Sequence, residues 1–218
     1  MKITKDYAKL TRIANGDYVL EGDLICNDSL EVDLDDRLIV KGKIEVKKSI
    51  EVKLSIKAGR GINAGEGIKA GRGIDAGWGI NAGEGINAGW GINAGWGINA
   101  GWGINAGWGI DAGWGINAGW GINAGEGINA GEGINAGEGI NAGEGINAGE
   151  GIKAKTFIQS KKRIFAGISV FRTSEDCDKK IECAELREGE ICYGDLVITK
   201  GGRIICVPFR FGIGFLWR

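Results

Sequence analysis

The sequence predicts an all-β protein, a triangular parallel β-solenoid with a small β-rich unit at its C-terminal end. Three observations predict it. From Gly61 to Glu150 the chain reads G-I-N-A-G-x fifteen times, with Lys69, Asp75 and Asp111 the only replacements at the Asn place. Aliphatic residues keep the same six-residue phase outside that tract. Finally, 42 of 218 residues are Gly beside a single Pro, without the period of collagen, so the glycines are placed by a repeat rather than by a flexible linker.

Each hexad puts Ile in its second place (Ile62, Ile68, Ile74 and onward to Ile146) and Ala in its fourth (Ala64 to Ala148). Residues two apart in a strand point the same way, so one Ile and one Ala face a common interior. Upstream the same places read Val32/Leu34, Leu38/Val40, Ile44/Val46, Ile50/Val52 and Ile56/Ala58, with Cys26 in an inward second place. Downstream they read Ile152/Ala154, Ile158/Ser160 and Ile164/Ala166, with Val170 as the last inward aliphatic. One hexad cannot bury its own apolar pair, so coils must stack. Three hexads per coil give a triangular prism with room for this interior; two would give a flatter rod. Glycines at the first and fifth places flank the corner residue x and are expected to supply positive φ angles there. Because x varies among Arg, Glu and Trp, it is assigned to the surface.

The ends need caps, since an open coil presents unpaired backbone groups. Residues 1–19, with Asp6-Tyr7-Ala8-Lys9-Leu10, are expected to form a short helix or an irregular cap, and residues 20–170 the solenoid. Residues 171–218 form a terminal β unit with strand-like runs at 190–199 and 203–211. The aromatic tail of Phe209, Phe211, Phe215 and Trp217 is expected to cover the last coil or to dock on a second subunit as an oligomerisation contact.

Charge is unevenly spread: net +1 over residues 1–60 (12 basic, 11 acidic), −7 over 61–152 (2 and 9) and +5 over 153–218 (13 and 8). An acidic rod joined to a basic end attracts unlike surfaces, including another copy of itself. No apolar run is long enough to span a membrane and Met1 to Leu20 lacks the apolar core of a signal peptide, so a cytoplasmic protein is expected. Five cysteines at irregular spacings fit a reducing compartment.

The corner places carry the candidate binding residues. Trp78, Trp90, Trp96, Trp102, Trp108, Trp114 and Trp120 form a belt. With three hexads per coil, Trp78/Trp96/Trp114, Trp102/Trp120 and Trp90/Trp108 share columns. Exposed Trp clusters are typical of binding hot spots, while indoles lying over the glycines and stacking within a column would be a purely structural use. Glu126, Glu132, Glu138, Glu144 and Glu150 then place a carboxylate on every corner, either for solubility or as a sparse imitation of a nucleic-acid backbone. Lys153, Lys155, Lys161, Lys162 and Arg163 follow as a basic collar, fit for a solvated face, for nucleic acid or for the acidic tract of another copy. Asn63 and its equivalents would stack as hydrogen-bonded ladders.

Catalysis finds little support. The chain has no His, the commonest general base, and no recognisable nucleophile or nucleotide-loop motif. Cys177, Cys183, Cys192 and Cys206 lack the paired spacing of a zinc module, so neither metal nor cofactor is expected.

On the aliphatic second places and the upstream Val/Ile pairs, roughly residues 20–170 resemble bactofilins, polymer-forming β-helix proteins of bacteria. The period is also similar to that of the hexapeptide acyltransferases. Those use a catalytic His, absent here, and place their small residue four positions after the aliphatic one rather than two. The Gly-Ile-Asn-Ala-Gly-Trp tract resembles Gly-rich repeat proteins of phages and prophages, a setting in which small inhibitors of host defence, anti-CRISPR proteins among them, occur. These resemblances imply a non-enzymatic interaction protein acting on a host complex that handles nucleic acid, or alternatively a self-assembling scaffold.

Overall fold

The computed structural model describes residues 1–167, 179–200 and 203–207, and among them there are strands but no helices. From Leu38–Val40 to Ile152–Ala154 the strands are three residues long and recur every hexad. Up to Ile146–Ala148 each pairs in parallel with the strand 18 residues on, so that Ile62 lies beside Ile80, Asn63 beside Asn81 and Ala64 beside Ala82. That register is three hexads per coil. The chain therefore winds a three-faced parallel β-solenoid of about nine turns.

The core is the period-two pattern made solid. In the repeat tract every second-place Ile is at most 1% exposed and every fourth-place Ala at most 8%, while the third place faces outward. Burying each Ile contributes about 1.5–3 kcal/mol relative to leaving it in water, which a single hexad could not achieve. Ile stacks on Ile and Ala on Ala along the axis, so core volume is constant from coil to coil.

The glycines work differently from the expectation. None from Gly59 to Gly151 has a positive φ. The corner is instead too crowded for a side chain: a Cβ on fifth-place Gly101 would stand 2.0 Å from the carbonyl oxygen of Gly83 in the preceding coil. The first place is looser, since a Cβ on Gly103 would lie 3.2 Å from the Gly121 carbonyl, and upstream it holds Lys43, Ser49 and Ser55. In the repeat tract close approach, not backbone handedness, suits the fifth place to glycine, while upstream it holds Lys41, Lys47 and Lys53.

The phase upstream of Leu38 also needs correction. The strand there is Leu30–Val32, paired with Ile50–Val52, rather than a Val32/Leu34 pair. The offset across the first coil is 20 residues because the corner between Val32 and Leu38 carries two extra. Leu34 is drawn into the core from that corner, which is why its apolar spacing mimicked the repeat. Cys26 is buried as expected but takes the fourth place, beside Val46. Polar contacts pin the enlarged corner: the Tyr18 hydroxyl donates to Asp35 at 2.6 Å, the Arg37 guanidinium to buried Asp17 at 2.7 Å, and Lys53 to Asp33 at 3.0 Å.

The N-terminal segment closes the first coil with strands, not a helix. Lys2–Ile3 pairs with Leu30–Val32, and Leu10–Arg12 folds back antiparallel on Tyr18–Leu20 through a turn at Gly16, φ 95°. Residues 4–10 make two successive turns, Tyr7 N–H to Thr4 C=O and Leu10 N–H to Tyr7 C=O. So short a run cannot nucleate a stable helix, whereas pairing satisfies the coil's open edge.

At the other end Lys155 and Lys161 occupy fifth places, and the corners change. Phe157–Ala166 runs as one 10-residue strand across two faces, pairing with Ile140–Ala142 through its first half and Ile146–Ala148 through its second. The terminal β unit continues the stack rather than standing apart. Lys180–Cys183 pairs with Ile152–Ala154, Glu185–Tyr193 with Phe157–Ala166, and Asp195–Lys200 with Lys180–Cys183. Arg203–Val207 then returns antiparallel on Asp195–Lys200. The strand-like run at 190–199 is divided at Gly194, φ 123°, and Val170 lies outside the described residues.

Two stability outcomes follow from these contacts. Gly101→Ala should lower unfolding free energy by about 1–3 kcal/mol, whereas Gly103→Ala should stay within about 1 kcal/mol because the stiffer unfolded chain offsets a mild crowding; urea melts of both variants check this. The Arg37 hydrogen bond, then that of Asn15, holds the Asp17 carboxyl below the usual carboxylate range. That contribution is present above the unfolded Asp value, about 3.9, and is lost as pH falls through the lower folded value. Asp17→Asn should therefore cost about 1.5–3 kcal/mol at pH 7, and melts in increasingly acid buffer should show the wild-type advantage shrinking.

Candidate interaction surface

The sixth places stack into three corner columns, each locked by backbone bonds from the amide of one corner residue to the carbonyl of the corner below, such as Trp96 to Trp78 at 3.3 Å. The first column reads Arg60, Trp78, Trp96, Trp114, Glu132, Glu150; the second Glu66, Glu84, Trp102, Trp120, Glu138; the third Arg72, Trp90, Trp108, Glu126, Glu144, Lys162. The predicted grouping of the tryptophans is the observed one. Missing from the sequence reading were the residues that end each column. Arg60 lies over Trp78 at 5.6 Å and Arg72 over Trp90 at 4.8 Å, a pattern available by reading the corner residues at 18-residue steps.

Within columns the indoles stack. Trp78–Trp96 and Trp96–Trp114 have ring centroids 5.2 and 5.3 Å apart, Trp90–Trp108 5.0 Å and Trp102–Trp120 5.4 Å, all within 7° of parallel. The coil spacing, roughly 4.8 Å, is wider than ring contact, so the rings sit offset. These four pairs together contribute roughly 2–6 kcal/mol. Stacking covers only part of each ring: the seven tryptophans remain 41–54% exposed. The belt is both structural and presented to solvent.

The carboxylates follow in the same columns. Glu144 stands one coil above Glu126 and is met from the next coil by Lys162 Nζ at 2.6 Å. The basic collar is partly neutralised within the chain, because Lys153 pairs with Glu182 at 3.3 Å and Arg163 approaches Glu190 at 3.8 Å. Lys155 and Lys161 are exposed and in no ion pair among the described residues. A shallow groove of about 740 Å³ runs beside the collar, between the Asn129 and Asn147 amides and Lys161, Phe165 and Glu190. It carries both signs of charge.

The outward third places form the expected ladders. Asn81, Asn99 and Asn117 each donate to the Asn one coil below at 2.9–3.1 Å. On another face Asn93 donates to Asp75 at 3.0 Å and Asn129 to Asp111 at 2.7 Å. Every bond runs toward the N-terminal coil, so Asp75 suits its place as an acceptor, but Asp111 stands beside Asn93 with no proton to donate.

Cys183 is buried, and burial pushes its thiol up to about 11; Cys192 is raised by the same cause. Cys177, the side chain of Cys206, and Phe209, Phe211, Phe215 and Trp217 lie outside the described residues. Among the described residues no helix is long and apolar enough to cross a membrane. Comparison with protein-family models, curated proteins and solved structures gives no match.

Asp111→Asn restores the missing donor to Asn93. It should raise stability by about 0.5–1 kcal/mol, read as a melting shift of about 1–4 °C by calorimetry.

Proposed function

We propose that this chain is a non-enzymatic, cytoplasmic interaction protein, a rigid rod that binds a protein partner through its tryptophan columns and the carboxylates that flank them. One observation supports this most directly: seven indoles stay about half exposed while backbone bonds and stacking hold them in place. A surface ordered before binding loses little entropy on association, and Trp is among the residues most enriched at interface hot spots.

The second column favours a partner of particular chemistry. Trp102 and Trp120 form an apolar step with Glu84 on one side and Glu138 on the other. The complement is an apolar cleft flanked by Lys or Arg, a combination found where proteins grip phosphate backbones. The resemblance to phage and prophage repeat proteins makes a host complex that handles nucleic acid the first partner to test, with inhibition of host defence, as by an anti-CRISPR protein, as the biological role. A bactofilin-like scaffold is the second reading, favoured by the order of charges along the first column.

Replacing Trp102 and Trp120 by Ala should weaken partner binding by about 2–4 kcal/mol in calorimetry while the far-ultraviolet circular dichroism is preserved. Undiminished binding by a folded double variant would count against the reading.

A further inference from the structure

The first corner column is complementary to itself when reversed. Counting coil by coil, it runs Arg60, Trp78, Trp96, Trp114, Glu132. A second copy turned end for end about an axis at the level of Trp96 sets Arg60 opposite Glu132, Trp78 opposite Trp114 and Trp96 opposite itself, and then repeats the same contacts in reverse order. This is the condition for an isologous two-fold interface, in which residue i meets j and j meets i. The spacing obeys the same symmetry. Trp96 lies 5.2 Å from the ring below and 5.3 Å from the ring above, at interplanar angles of 5° and 6°, so the reversed copy presents matching intervals on both sides of the axis.

We infer that two copies of this chain pair antiparallel along the column Arg60–Trp78–Trp96–Trp114–Glu132. The charge order excludes the parallel arrangement, which would oppose Arg60 to Arg60 and Glu132 to Glu132 across the contact. It also separates this corner from the others. Reversing the second column brings Glu84 against Glu138, a repulsive layer beside only two indoles. Reversing the third brings Arg72 against Glu126 but matches two indoles instead of three, and its next layer opposes Leu54 to a Glu144 already held by Lys162. The first column thus offers the longest apolar match closed by opposite charges at both ends.

The contact is narrow. Its three indoles are 46%, 46% and 53% exposed, so with 150–250 Å² per aromatic they offer roughly 220–360 Å² per copy, below the about 800 Å² of a standard stable interface. The pair is therefore a reversible, concentration-dependent dimer rather than an obligate one. It leaves free the second column, the one that the partner-binding test alters, so the two tests fail separately.

Sedimentation equilibrium of the full chain from micromolar to millimolar concentration tests it with R60E and E132R. Wild type associates to a dimer. R60E carries acids at both ends of the column and E132R bases at both, so each alone weakens the dimer by about tenfold or more. An equimolar mixture of the two regains it, because each end then meets its opposite, and R60E/E132R in one chain regains it as well. All variants keep wild-type circular dichroism, since both residues sit on corners outside the core. A wild type that stays monomeric at millimolar concentration, a dimer that survives R60E, or a mixture that fails to reassociate overturns the proposal.

Discussion

The whole solenoid depends on how closely one coil can lie on the next. Parallel strands must approach to roughly 4.8 Å for their amides and carbonyls to meet, and at a corner that distance leaves no room for a Cβ beneath a carbonyl. In the repeat tract glycine fills that fifth place, while the first coils hold Lys41, Lys47 and Lys53 there. Once the corner can close in 18 residues, every Ile falls on an Ile, every Ala on an Ala, and every corner side chain on the corner below. Core, ladders and tryptophan columns are consequences of that one stacking distance.

The ends depart from this pattern in different ways. Past Lys155 the chain runs on as the long strand Phe157–Ala166, which draws two faces into one ladder, whereas Lys41, Lys47 and Lys53 hold the fifth place upstream between strands of three residues. There the ring of Phe157 covers Gly139 and the Arg187 guanidinium lies 3.8 Å over that ring. At the opposite end a two-residue insertion enlarges a corner, and buried Asp17 with Arg37 holds it in shape. Irregular corners are maintained by particular side-chain contacts, regular ones by a repeated backbone bond to which the stacked indoles add.

Most of the architecture was legible because six-residue spacing is a statement about geometry. The inward Ile and Ala and the Asn ladders follow from position modulo six, and the grouping of the tryptophans from position modulo eighteen once three hexads per coil are preferred over two for the room they give the interior. What sequence could not supply was anything set by contact distance. The role of glycine was assigned to backbone freedom because composition does not distinguish a residue needed for its φ from one needed for its missing side chain. The Val32/Leu34 pair was misphased because Leu34 keeps the right spacing from Leu38 while belonging to an inserted corner. Glu144 meets Lys162 at the ordinary 18-residue step, but the collar's pairs with Glu182 and Glu190 depend on strands whose pairing crosses the irregular end, beyond the reach of the repeat.

The chain thus carries two grammars of different length. Its interior repeats every 6 residues, so one hexad could be gained or lost with the core still in phase. Its surface repeats every 18, and a single-hexad insertion would shift every later corner residue onto the neighbouring edge. Arg60 would then head a different sequence of rings and acids, although no buried atom had changed partner type. Only additions of a full coil preserve the columns, so the molecule can drift in length at little cost to folding while its recognition edges change by steps of one third of a turn.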